Sequence, residues 1–357
     1  MPSTSHFRNS IILLLGLSAC SKDSEPTAET PLVYTTVGTL AGSGISGFVN
    51  GSATVAQFSY AEGLAADAQG NVYVAEAGNA CIRKITPAGV VSTFAGDGTP
   101  GLVNGPAATA RFSSTADLAF DPQGNLLVAD YGNNCIRKIT PGGIVSTLAG
   151  TGVAGFVDGP GTVAQFSDPE GLAIDAQGTV YVSEYGNYSI RKVLPNGTVS
   201  TVAGTGRRGY ADGPGRSAQF VGPEGLALDA KGTLYVADFA GHRIRKITAD
   251  GVVSTLAGTG VGGYADGDAS TAKFYGPVGI AFDAQGNLIV ADAGNYCIRK
   301  ITPAGTVSVL AGTRVLGYAD GPVGTAQFNA PAAVTTGARG VLYVAEYSNH
   351  IRKITAQ

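Results

Sequence analysis

Residues 166–204 read FSDPEGLAIDAQGTVYVSEYGNYSIRKVLPNGTVSTVAG, and their alternation of apolar runs and turns decides the fold. Gly171-Leu172-Ala173-Ile174-Asp175 leads into a Gln-Gly-Thr turn. Val180-Tyr181-Val182-Ser183-Glu184 follows, then a Tyr-Gly-Asn turn, Ile190-Arg191-Lys192-Val193, a Pro-Asn-Gly turn and Val199-Ser200-Thr201-Val202-Ala203-Gly204. These are short β-rich runs punctuated by Gly, Asn, Asp and Pro. No apolar stripe of helical period competes with them. The segment reads as four antiparallel strands joined by short turns.

The same unit recurs along the chain. An Ala-x-Phe anchor places its aromatic at Phe58, Phe112, Phe166, Phe220, Phe274 and Phe328, every interval being 54 residues. Six four-stranded units of that length predict an all-β fold, a six-bladed β-propeller over residues 33–357. The chain ends agree with this. The last unit stops at its third strand, Ile351-Arg352-Lys353-Ile354, and lacks a fourth. Residues 33–42 end in Thr39-Leu40-Ala41-Gly42, which matches the fourth-strand pattern Thr147-Leu148-Ala149-Gly150. The N-terminal strand is therefore expected to complete the last blade and close the ring, removing two exposed sheet edges. The 53 glycines in 357 residues are about twice the usual share, and their periodicity assigns them to turns.

Units such as Val-Ala-Asp-x-x-Gly/Asn-x-x-Ile-Arg-Lys-Ile, with Asn349-His350-Ile351 near the end, resemble NHL repeats over residues 33–356. The Ala257–Gly267 insert is similar to that of many secreted bacterial members. The resemblance implies the propeller but names no activity, since such repeats occur in RNA-binding modules, receptor-kinase sensors and a metal-dependent lyase. At the N-terminus, His6 and Arg8 precede an apolar run from Ile11 to Leu17, too short to span a bilayer, and residues 1–19 read as an export signal. Leu17-Ser18-Ala19-Cys20 resembles the lipobox of bacterial lipoproteins, which implies lipidation of Cys20 and a flexible tether over residues 20–32. Ser21-Lys22-Asp23-Ser24-Glu25 is similar to the acidic tracts of Bacteroidota surface lipoproteins. The expected location is the bacterial cell envelope, at the outer membrane and facing the surface, with the lipid as the membrane attachment.

Loss of Arg8 with the leader leaves 22 of the 23 basic residues against 26 acidic ones, an acidic balance that argues against nucleic-acid binding. The Arg-Lys pair of each unit accounts for 12 of those basic residues and belongs to the scaffold. Glu76, Asp130, Glu184, Asp238, Asp292 and Glu346 end the second strands and are expected to pair with those arginines or cap the next turn. A cation ring built from the six is the competing reading. Asp67, Asp121, Asp175, Asp229 and Asp283 suit Asx turns. Each anchor Phe is expected to plug the gap between two blades. Cys81, Cys135 and Cys297 share one position in the third strand, which in a sixfold ring holds them too far apart to bond, so no disulfide is expected.

Function is expected where the units differ, on the face that gathers the long inserts and the turns between second and third strands. One position before each first strand varies as Glu62, Ala116, Glu170, Glu224, Val278 and Ala332, and should border the channel mouth. The turns add Tyr131, Tyr185, Phe239 and Tyr347, with Tyr188, His242, Tyr296 and His350 nearby. Aromatics beside carboxylates suit a glycan, a peptide with a basic group or a partner protein. His242 and His350 make no zinc-type constellation and no Gly-x-Ser-x-Gly elbow is present, so no catalytic residue and no cofactor is assigned. The expectation is a monomeric, non-catalytic binding propeller for an envelope or extracellular ligand. The alternative is a Ca²⁺-dependent hydrolase or lyase acting through Glu170 and Glu224.

Overall fold

The computed structural model describes Met1 and residues 32–357. It is a closed ring of six antiparallel blades. Blade one consists of Ala61–Ala66, Val72–Glu76, Cys81–Ile85 and Val91–Ala95, from the central channel outward. The innermost strands of blades two to six are Thr115–Phe120, Pro169–Ile174, Pro223–Leu228, Pro277–Phe282 and Pro331–Thr336. Proline opens four of them, at the first strand residue, where its missing N–H costs least. No helix among the described residues is long and apolar enough to cross a membrane. Residues 2–31, which hold the rest of the expected leader, Cys20 and most of the expected tether, lie outside the described residues.

Closure runs as the chain ends require. Tyr34–Ala41 is the outermost strand of blade six, antiparallel to His350–Ala356, with Val37 opposite Ile354 and Thr39 opposite Arg352. Two further hydrogen bonds, Val33 N to Gln357 O at 3.2 Å and Gln357 N to Val33 O at 2.9 Å, extend the seam.

One detail goes beyond four strands per blade. Gly105–Pro106, Gly213–Pro214, Gly267–Asp268 and Gly321–Pro322 each add a two-residue strand on the outer edge of a blade. Single bridges from Gly51 to Val91 and Gly159 to Val199 occupy the same place in the other two blades. These glycines have φ between 116° and 141°, a region that side-chain-bearing residues rarely adopt. That conformation lets each long insert turn back and cover the edge that would otherwise stay unpaired.

The core lies between blades. Phe112 packs with Ala75, Ile82 and Ala95 of blade one and with Leu118, Leu126 and Val128 of its own blade. All six anchor phenylalanines are fully buried in this way.

Beside each Phe lies a buried arginine. In blade three, Arg191 Nη1 donates to Glu184 Oε2 at 3.1 Å and to the Gln165 carbonyl at 3.0 Å. Its Nη2 donates to Asp158 Oδ1 at 2.7 Å and to the Val157 carbonyl at 2.9 Å. Phe156 and Phe166 flank the guanidinium, at 5.1 and 5.2 Å to their ring centroids. Glu184 also accepts from Ser167 N and from Asn187, so it pairs with the arginine and caps the turn at once. Arg83, Arg137, Arg245, Arg299 and Arg352 repeat the ion pair with Glu76, Asp130, Asp238, Asp292 and Glu346. The six carboxylates are thus spent inside separate blades and form no common ring. The insert motif Gly-Phe/Tyr-x-Asn/Asp-Gly supplies the outer acceptor of every arginine and the outer ring of all but Arg137, where Leu102 takes the aromatic place, which explains its recurrence.

Asp67, Asp121, Asp175, Asp229 and Asp283 each accept from backbone N–H groups two and four residues on, at 2.8 to 3.0 Å. Cys81, Cys135 and Cys297 are free and buried, and burial pushes their thiols well above the ordinary range, which makes them inert packing groups.

Candidate functional site

The inserts and the turns between second and third strands share one face. Asn79 in such a turn donates to the Gly47 carbonyl of the insert, and Ala77 N donates to Tyr60 O. At the centre of this face the innermost strands converge. A methyl group at Gly171 would sit 2.3 Å from the Glu224 carbonyl oxygen, and one at Gly63 2.4 Å from that of Ala116. Glycine here lets neighbouring strands touch, and the preceding residue of each blade then rims the channel.

Those rim residues enclose a cavity of about 90 Å³. Glu62, Ala116, Glu170, Glu224, Val278 and Ala332 contribute one side chain per blade, and Tyr347 joins them from its turn. Leu64, Leu226, Ile280 and Val334 lie beneath. With Leu118 and Leu172 they also line a second cavity of about 440 Å³ at the opposite end of the channel. The mouth is a polar cup on an aliphatic floor.

Asp117 also lines the cup. It occupies the position that is glycine in blades one, three, four and five, and its carboxylate accepts from Leu172 N at 2.9 Å. Sequence reading missed it, although a non-glycine in an otherwise glycine column was the available signal.

No Lys, Arg or His lines the cup, and among the described residues the side chains of Glu62, Glu170 and Glu224 have no hydrogen-bond partner. Burial pushes Glu62 up to about 7 and Asp117 up to about 7. Burial and then the charge of Glu62 push Glu224 up to about 8. Glu170 is raised by burial and then by Glu224, Glu62, Asp168 and Asp117. Tyr347 as a residue is 40% exposed, whereas its hydroxyl is raised far above the usual range by burial and the three glutamates. Tyr131 is pushed up to about 12 by burial, then by Asp168, Glu170 and Glu62, and Tyr185 is raised by burial and Glu224. Three tyrosines thus share one electrostatic environment with the acidic cup.

The other candidates sit elsewhere. Phe239 packs over Gly276 of the next blade. His242 accepts a hydrogen bond from Gly276 N at 3.1 Å through Nδ1, clasping blade four to blade five, and burial lowers its pKa. Tyr188, His242 and Tyr296 hold φ between 51° and 54°, the left-handed region, in their turns. His350 lies in the third strand of blade six, in the place of the cysteines, stacked 4.0 Å from the Tyr318 ring. No group of three His, Cys, Asp or Glu side chains close enough to hold a metal occurs among the described residues.

The raised carboxyls couple the mouth to stability. Their folded-state pKa values exceed the unfolded ones, so from about pH 4 to pH 8 the folded chain binds more protons and stability falls as pH rises. The melting temperature should drop between pH 5 and pH 8.5. Glu170→Gln/Glu224→Gln should flatten the profile and raise stability at pH 8.5 by on the order of 2 kcal/mol. A pH profile as steep as that of the unsubstituted protein would show that these glutamates do not repel one another.

Five stretches, residues 58–85, 112–139, 166–193, 220–247 and 274–301, match the NHL repeat. With the six closed blades, this makes the chain a six-bladed β-propeller of the NHL-repeat family. It is 32% identical over 281 residues to the protein SUPPRESSOR OF QUENCHING 1 of Arabidopsis thaliana, covering 72% of this chain and 26% of that one. It is 28% identical over 324 residues to NHL repeat-containing protein 2 of Bos taurus, covering 79% of this chain and 44% of that one. The chain spans less than half the length of either relative. Among solved structures, an auxiliary nutrient binding protein from Bacteroides thetaiotaomicron superposes with a TM-score of 0.68 at 16% identity, covering 90% of this chain and 76% of that one. At that identity the likeness is one of fold.

Proposed function

We propose that this propeller is a non-catalytic binding protein of the bacterial envelope, lipid-anchored through Cys20, which recognises its ligand at the acidic channel mouth. The observation that carries the reading is the cup itself. Three carboxylates without internal partners and three tyrosines gather on the one face where the repeats diverge, over a scaffold whose other buried charges are paired. That an auxiliary nutrient binding protein shares this fold supports a binding role.

Anchoring fits the direction of the chain. Leu32 lies against Gly340, in the turn after the innermost strand of blade six, and Ala41 ends at the opposite face, where Gly42 approaches Asn349. The described residues therefore enter the ring on the face away from the mouth.

Screening the mature protein on glycan and peptide arrays tests the binding role. A ligand retained by the unsubstituted protein and lost in Tyr185→Ala/Tyr347→Ala, with little change in melting temperature, is the expected result. Binding that survives that double substitution would place the site elsewhere. Metabolic labelling with an alkynyl fatty acid should mark the protein, and Cys20→Ser should abolish the mark.

A further inference from the structure

The repeats provide their own control for what the mouth lacks. Glu76, Asp130, Glu184, Asp238, Asp292 and Glu346 each face an arginine, and the Asx-turn aspartates face backbone N–H groups. Glu62, Glu170 and Glu224 point into a common cavity and face nothing. Glu170 and Glu224, from adjacent blades, are half-buried side by side at the rim of that cavity. A charge so placed is unfavourable unless paired, and among the described residues no Lys, Arg or His lines the cup.

Shape narrows the class of partner. The free space inside the cup, about 90 Å³, admits the head of a small group, and the cup opens to solvent above it. The acidic arc is set by blades one, three and four, whereas blades five and six contribute Val278 and Ala332 below the Tyr347 ring. The floor is aliphatic. A calcium ion wants six to eight oxygens at about 2.3–2.6 Å, and the carboxylates are not clustered closely enough to hold a metal. Dispersed negative charge beside methyl groups and an aromatic face matches a positive head on an alkyl stem.

We infer that the mouth binds an organic cation, a primary ammonium or guanidinium on a short alkyl stem, with the head among Glu62, Glu170 and Glu224 and the stem along Val278, Ala332 and Tyr347. This rests on the binding role proposed above and specifies its ligand class. The cation could be a free amine or a lysine or arginine side chain of a peptide, which share this chemistry. The raised carboxyl pKa values add a consequence. Binding should expel protons from the cup, whose surroundings are Glu62, Asp117, Asp168, Glu170, Glu224, the hydroxyls of Tyr131, Tyr185 and Tyr347, and Arg208 as the cation nearest Tyr185.

Isothermal titration calorimetry of the mature protein tests this with 1,4-diaminobutane, agmatine, a lysine-containing tripeptide, 1-butanol and CaCl₂. The expected result is saturable binding of the amines and none of 1-butanol. Affinity should be at least tenfold lower at pH 5.5 than at pH 8, with proton release seen as a buffer-dependent heat. Tight binding of the tripeptide alone would assign the cation to a peptide, and binding of the diamine alone to a free amine. Glu170→Gln/Glu224→Gln should abolish binding while raising the melting temperature, which separates a lost site from a lost fold. Tyr347→Ala, which leaves the carboxylates in place, should weaken binding several-fold. Equal responses to amines and 1-butanol, amine binding that survives the double Gln variant, or stoichiometric Ca²⁺ uptake without amine binding would each overturn the inference. A neutral glycan bound at the mouth would overturn it and leave the binding role standing. Silence from amines and arrays together would remove both.

Discussion

A chain lacking residues 1–41 should lose cooperative folding, whereas one lacking residues 1–31 should melt like the whole protein. The strand Tyr34–Ala41 is the outermost strand of blade six, and its pairing with His350–Ala356 is the contact between N-terminal and C-terminal sequence that closes the sheet. It also buries Val37 against Ile354 and Phe328, and Ala41 against Phe58 and Ile351. Two buried apolar side chains, together with a ladder of hydrogen bonds each contributing about 1 kcal/mol net, sum to about 5 kcal/mol or more. That is a large fraction of the stability of a typical domain. Its loss also bares an edge that invites association. Circular dichroism melting and size-exclusion chromatography read the result. A truncated chain that stays monomeric with an unchanged melting temperature would mean that the ring does not depend on its seam.

Arg245→Ala should cost about 3–5 kcal/mol, because it leaves Asp238 buried and charged without its partner. The arginine is fully buried, donates to Asp238, Asp212 and the carbonyls of Gln219 and Ala211, and lies between Tyr210 and Phe220. Asp238→Asn should cost less, since Asp212 still faces the guanidinium at 2.6 Å. Blade two supplies a comparison within the same molecule. Leu102 replaces the outer aromatic there and Arg137 stacks on Phe112 alone, so Arg137→Ala should be milder by about 0.5–1 kcal/mol. Chemical denaturation of the three variants measures the differences. Equal and small costs would mean that the buried pairs are replaceable packing.

Much of this architecture was legible before any coordinates. The interval between anchor phenylalanines fixed the blade count, and the missing fourth strand after Ile354 fixed how the ring closes. Repeated charged residues were correctly read as scaffold, because a contact made inside one unit must be made in every unit. The role of the insert motif was not legible. Phe156 and Asp158 lie more than thirty residues from Arg191 in sequence, and the chain between them must fold back before they meet.

The candidate site divides along the same line. Variation at Glu62, Glu170 and Glu224 marked them in the sequence, since a column that changes from unit to unit is free of the scaffold's constraint. Nothing in the sequence separated Tyr347, which lines the cup, from His350, which stacks on Tyr318 inside the blade, because a turn one residue shorter shifts the last unit relative to the others. Asp117 and the unpaired state of the three glutamates also waited on the tertiary structure. Sequence alone determined the repeating ring, because a repeated pattern demands repeated contacts. Only the packed ring decided which charges were left without partners, because each rim residue comes from a different blade and its neighbours are set by closure.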